Sequence, residues 1–131
     1  MIELAGCVIR DTEGKLLLLH RNTEKLTQWE LPGGKVDPED KDHAAAAIRE
    51  IKEELGIDVR ILKHLGQASF EANDTVWLYN WFEAEQIDAN QNPAVMEPET
   101  FDRVDHIHPE DLRGRDDLSL NVVNLLASGA L

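Results

Sequence analysis

A second cysteine is missing. Cys7 is the only one in the chain, so no internal disulfide can form, and a cytoplasmic location is the simpler expectation. Cys7 itself, inside an early apolar run, reads as a small hydrophobe of a strand. Basic residues are scarce: 13 Lys and Arg stand against 26 Asp and Glu, a net charge of −13. That balance argues against long nucleic acid as a partner, because such binding needs a basic footprint. It does not exclude small phosphorylated ligands, since bound metal ions can locally invert the field of acidic side chains. No apolar run approaches a membrane span. Met1-Ile2-Glu3-Leu4 lacks the basic start and apolar core of a secretory leader. No repeat, low-complexity tract or linker is visible, so residues 1–131 are expected to form one domain. The 42% hydrophobic content and three tryptophans argue for a packed core rather than acidic disorder.

The patterning predicts strands and helices in alternation. Ile2 to Arg10 alternates loosely and ends at the turn sequence Asp11-Thr12-Glu13-Gly14. Lys15 to His20 follows as a strand buried on both faces, and the two segments are expected to pair as a hairpin. Asn22 to Gln28 reads as a polar loop before a short apolar stretch at Trp29. A helix is predicted from about His43 to Leu55, capped by Asp42, rich in alanine, and stopped by Gly56. Its spacing puts Ile48, Ile51 and Leu55 on the core side. Ile57 to Leu65 reads as a strand ending at Gly66. Gln67 to Glu71 and Thr75 to Glu85 flank a turn at Ala72-Asn73-Asp74 as a further hairpin. On the second of these, Trp77, Tyr79 and Trp81 share one face and Phe82 takes the other. Gln86 to Pro98 reads as a loop, Phe101 to Ile107 as a strand and Pro109 to Leu112 as a helical turn. Leu118 to Ala127 is a helix with Leu118, Val122, Leu125 and Leu126 on its apolar face. His106 and His108 share a strand face but lack a third ligand partner, so a surface or structural role is expected for them, as for His20 and His64. Pattern alone gives an α/β or α+β chain.

Two stretches carry chemistry. In Arg49-Glu50-Ile51-Lys52-Glu53-Glu54-Leu55-Gly56-Ile57, the three glutamates at i, i+3 and i+4 share a helix face and repel one another. A divalent cation turns that repulsion into coordination, because oxygen-rich clusters suit hard ions such as Mg²⁺ or Mn²⁺. Upstream, Pro32 fixes φ while Gly33 and Gly34 allow close backbone approaches, a loop able to aim carbonyls and amides at a metal or phosphate.

Together these stretches resemble the Nudix box, the loop–helix–loop signature of the Nudix hydrolases (MutT-like enzymes), whose pattern reads G-x5-E-x7-R-E-u-x-E-E-x-G-u with u aliphatic. Gly34, Arg49, Glu50, Ile51, Glu53, Glu54, Gly56 and Ile57 match in type and order. The resemblance implies an α/β/α sandwich with a mixed central sheet. It also implies Mg²⁺-dependent hydrolysis of the pyrophosphate linkage of a nucleoside diphosphate joined to a further group, with Mn²⁺ as a possible substitute. By that resemblance Glu50, Glu53 and Glu54 are metal ligands, with Glu50 either ligand or base, and Gly34 offers its backbone carbonyl. Arg49 orients the carboxylates. Gly33, Gly34 and Lys35 form the substrate-facing loop. Glu97 in the late loop is the candidate for a further metal-site carboxylate, and Glu99 for a substrate contact, because Glu97-Pro98-Glu99-Thr100-Phe101-Asp102 is similar to a stretch of nucleoside-triphosphate-cleaving members.

One position departs from the pattern. Five residues after Gly34 comes Asp40 where glutamate is expected, and eight residues rather than seven then precede Arg49. The surplus residue belongs most simply in the loop Asp37 to Asp42, where insertions cost little. Asp40, Glu39 or neither then stands in for the first box glutamate.

The substrate expectation is a nucleoside triphosphate, plain or modified, cleaved to monophosphate and pyrophosphate. The chain shows no extra N-terminal portion of the kind larger nucleotide-sugar members carry. It also has no proline between Asp58 and Asn92, and no tyrosine at the spacing of dinucleoside polyphosphate hydrolases. ADP-ribose, nucleotide sugars and dinucleoside polyphosphates remain alternatives, as does an inactive nucleotide-binding sensor. Monomer and homodimer are both compatible with the sequence.

Overall fold

A computed structural model describes residues 1–131. Its strands are β1 (Ile2–Ile9), β2 (Leu16–Asn22), β3 (Thr27–Glu30), β4 (Gly33–Lys35), β5 (Val59–Ala72), β6 (Thr75–Gln86) and β7 (Phe101–Ile107). The helices are α1 (His43–Leu55), α2 (Pro109–Leu112) and α3 (Leu120–Ser128). One sheet runs β4-β1-β6-β5 and a smaller one β3-β2-β7. β1 lies parallel to β6, while every other pairing is antiparallel.

Side-chain alternation builds the layers. Ala5, Cys7, Ile9, Leu17, Leu19, Phe82 and Ala84 point to one side and pack against Ala46, Ala47, Ile51 and Leu55 of α1. Val8, Leu16, Leu18, Tyr79 and Trp81 point to the other, against Leu112, Val122, Leu125 and Leu126. This is an α/β/α sandwich with mixed strand directions, as expected. Cys7 is fully buried, and burial pushes its thiol up to about 12. It is an inert hydrophobe.

Four expectations need correction. β1 and β2 are not a hairpin: β1 already has β4 and β6 on its two edges, β2 has β3 and β7, and only a bridge from Arg10 to Leu16 links the two. Dividing them between two sheets is what covers both faces of Leu16 to Leu19. β5 does not end at Gly66. The strand runs on to Ala72, and the register shift between His64 and Gly66 leaves Leu65 unpaired as a bulge while Gly66 pairs with Trp81. The tight turn after it is made by Asn73 and Asp74, both at positive φ. Ile48 is 38% exposed, because the buried stripe of α1 centres on Ala47, Ile51 and Glu54 and leaves Ile48 at its rim. Leu118 precedes the last helix, which starts at Leu120 with Ser119 as its cap.

Candidate active site

Residues 31–56 form a loop that crosses β1 and then a helix that returns over it. Asp42 caps α1, its carboxylate accepting from Ala45 N, and Gly56 closes it at φ 73°. β4 lies antiparallel to β1 with Gly34 opposite Ala5 and Gly33 opposite Gly6. Two close approaches explain the paired glycines. A Cβ on Gly33, which sits at φ 153°, would fall 2.3 Å from the Ala5 carbonyl oxygen. One on Gly34 would fall 2.5 Å from the Glu50 carboxylate. The strand is thus pressed between β1 and the glutamate face of α1.

Each carboxylate has a defined place. Glu54 is 6% exposed and accepts a 2.7 Å hydrogen bond from Gly33 N. Glu50 is half-buried against Gly34, and Glu53 is exposed. Arg49 ties the loop to this face. Its Nη1 donates to Glu50 (3.1 Å) and Glu53 (3.2 Å), and its Nη2 to the Lys35 carbonyl (3.1 Å). Its Nε and Nη2 grip Asp40 in a bidentate pair at 2.9 Å each. Asp40 also turns the loop, accepting from Asp37 N. Of the two candidates for the first box acid, Asp40 is therefore the one brought to Arg49, while Glu39 is exposed. The extra residue is accommodated without moving the helix.

The electrostatics are unusual for a surface helix. Burial pushes the Glu54 carboxyl up to about 9 against the pull of the Gly33 N–H, with Glu50, Glu97 and Glu30 adding negative charge nearby. Burial also raises Glu50, against the neighbouring Arg49. The Arg49 guanidinium holds Asp40 down at about 2. Glu97 is half-buried in the segment between β6 and β7, close enough for its charge to bear on Glu50, Glu54 and Arg21. Glu99 is exposed.

No three of these side chains stand at metal-binding spacing to one another. Glu50 and Glu53 are drawn to Arg49, and Glu54 to Gly33 N. The donor set nevertheless suits a hard divalent cation: all oxygen, crowded, and with a buried carboxyl, Glu54, whose hydrogen-bond partner is a backbone N–H rather than a cationic side chain.

Beside the cluster opens a cavity of about 500 Å³ whose lining includes Gly33, Gly34, Lys35, Tyr79 and Asn121. Phe70 and Trp77 form its aromatic wall, their rings parallel with centroids 6.2 Å apart, and the Lys35 ammonium lies 5.8 Å from the Trp77 centroid. Asn121 Oδ1 is buried without a hydrogen-bond partner. Arg21 also faces this cavity. It donates to both Glu30 oxygens (2.5 and 3.2 Å), while Gln28 donates to the same carboxylate.

Arg21, Glu30 and Asn121 were not predicted. Arg21 and Glu30 meet only because β2 pairs with β3, and the sole sequence signal for Asn121 is a polar residue opening an apolar helix. The histidines are elsewhere. His20 is 8% exposed, bonded to Asp102 at 2.7 Å and packed on Trp29, a structural role.

A family model described as NUDIX domain matches residues 3–125. A CTP pyrophosphohydrolase from Escherichia coli is 33% identical over 84 residues, 62% of this chain and 61% of that protein. Three further curated relatives are matched over 35% or less of their own lengths. Among solved structures, a MutT Nudix hydrolase from Burkholderia pseudomallei is similar at a TM-score of 0.82 and 28% identity, covering 96% of this chain and 95% of that one. An Ap4A hydrolase from C. elegans is similar at a TM-score of 0.75 and 27% identity, over 97% and 93% of the two chains.

Proposed function

The chain belongs to the Nudix family, and from that premise we propose that it hydrolyses the pyrophosphate linkage of a nucleoside triphosphate, with Mg²⁺, to the monophosphate and pyrophosphate. The observation that carries this reading is the placement of Glu54. A buried carboxylate raised to about 9 lies on the Gly33 amide, beside Glu50 and at the edge of a nucleoside-sized cavity. Glu50, Glu53, Glu54, Glu97 and the Gly34 carbonyl would hold the metal, with Mn²⁺ as a substitute. When bound, the metal offsets the charge of the phosphoryl groups and acidifies a water.

The chain's own groups supply the rest. Arg49, fixed by Asp40, aims Glu50 and Glu53. Burial raises both Glu50 and Glu54, and Glu54, at about 9, keeps its proton near neutrality until a bound cation displaces it, so Glu50 is the group placed to accept a proton. Arg21, paired with Glu30, and Lys35, over the Trp77 ring, are the cations that line the cavity. Phe70 and Trp77 offer a face for the base, and Asn121 an acceptor for one of its N–H groups. The name of the E. coli relative, which specifies CTP, favours a triphosphate. The net charge of −13 fits a small nucleotide rather than long nucleic acid as partner.

The test is a phosphate-release screen, coupled to pyrophosphatase, with Mg²⁺ over nucleoside triphosphates, ADP-ribose, nucleotide sugars and dinucleoside polyphosphates. Triphosphate turnover that Glu53→Gln abolishes supports the proposal. Turnover of ADP-ribose with none of any triphosphate overturns the substrate. Nucleotide binding without turnover, under Mg²⁺ and Mn²⁺ alike, would make the protein a sensor.

A further inference from the structure

Glu97 stands outside the box, in a segment without regular structure, yet its charge bears on the box carboxylates Glu50 and Glu54. The backbone of α1 explains how. A helix end leaves carbonyls without partners, and this segment takes two of them: Ala94 N donates to Leu55 O and Met96 N to Glu54 O, both at 3.1 Å. The residue before Glu97 is thus bonded to the backbone of Glu54 itself. Downstream, the Glu97 carbonyl accepts from Thr100 N and Phe101 N.

Upstream, one side chain anchors the segment. Gln91 Oε1 accepts from Asp58 N at 2.8 Å, and Gln91 Nε2 donates to Asp58 Oδ2 at 2.9 Å. The Gln91 carbonyl in turn accepts from Gln86 Nε2 at 2.9 Å. Lys52, on α1, donates to the same Asp58 oxygen at 3.1 Å. A primary amide suits this place because it can accept from a backbone N–H and donate to a carboxylate at once.

We propose that Gln91 is a positioning residue: with Asp58 it closes a bracket that holds the 91–97 segment on the end of α1 and sets Glu97 beside Glu50 and Glu54 before a divalent cation arrives. This rests on the reading of the glutamate cluster as a divalent-cation site. If the bracket acts through Glu97 rather than through the backbone of α1, its effect vanishes once the Glu97 carboxylate is removed, which a cycle of variants measures.

The experiment is the Mn²⁺ dissociation constant of the full chain, by calorimetry or electron paramagnetic resonance, for wild type, Gln91→Ala, Glu97→Gln and the double variant, with thermal melts alongside. Gln91→Ala raises Kd on the order of tenfold, the range for residues that orient metal ligands, and adds nothing further in the Glu97→Gln background. Asp58→Ala, which keeps the backbone N–H but loses the carboxylate, shifts Kd in the same direction by less. An unchanged Kd in Gln91→Ala, or an equal factor in both backgrounds, overturns the proposal and leaves Gln91 a structural loop anchor. Wild type that binds Mn²⁺ through Glu97 but hydrolyses nothing on the substrate panel would sink the proposed reaction and leave the bracket standing.

Discussion

Glu54 is a glutamate that folding makes hard to ionise. Its carboxyl rises from an ordinary 4.5 to about 9 through burial, and the Gly33 N–H only partly offsets this. A group raised on folding contributes stability that is complete below the unfolded value and is lost as pH climbs through the folded one. The metal-free protein therefore loses stability between about pH 4.5 and about pH 9 from this residue. A metal ligand must be deprotonated, so a cation held by Glu54, as proposed, would displace the proton. Mn²⁺ affinity is expected to strengthen with pH, by up to roughly tenfold per unit below the Glu54 pKa if one proton is displaced. Glu54→Gln should flatten that slope; a pH-independent Kd in wild type would show that Glu54 takes no part. At this scale the sequence was legible where local spacing decides. Glu50, Glu53 and Glu54 share a face by helix geometry alone, and Arg49 reaches Glu53 at i+4. Arg21 and Glu30 could not be foreseen, because their meeting depends on cross-strand register.

Among the elements, both ends of α1 were read correctly, since Asp42, the alanines and Gly56 each act locally, while Ile48 was placed too deep on its buried face. The Asp42 cap supports the helix at the end remote from its glutamates. Asp42→Ala should cost about 1 kcal/mol, lowering Tm by roughly 4 °C in a domain of this size. Turnover per folded molecule should stay near wild type. A Tm equal to that of wild type would mean that packing on β1 alone fixes the helix start. Strand pairing was less legible. The turn Asp11 to Gly14 looks like a hairpin because turn chemistry is local, whereas the partners of β1 are chosen by β4 and β6 from far along the chain. Gly66 misled for a related reason: a glycine in a strand signals a bulge as readily as an end. The surplus loop residue was legible as an insertion. Only the structure shows that it delivers Asp40, rather than Glu39, to Arg49.

Across the whole molecule, four carboxylates from three separate segments converge on the cavity side of the sandwich: Glu30 from β3, Glu50 and Glu54 from α1, and Glu97 from the segment before β7. In a chain of net charge −13 such convergence destabilises the folded state more than the extended one, because folding gathers like charges. A divalent cation that binds only the folded chain reverses this locally. Its stabilisation follows RT ln(1 + [L]/Kd), about 2.7 kcal/mol when the ion is at a hundred times its Kd. Thermal melts near pH 8 should therefore show a higher Tm in MgCl₂ than in NaCl of equal ionic strength, since screening acts in both but coordination in only one. Near pH 5, further below the Glu54 pKa, displacing its proton costs the cation more, and the same comparison should give a smaller difference. Equal shifts in the two salts at both pH values would mean that the cluster is merely screened, and that this fold does not use its acidic face to capture a cation.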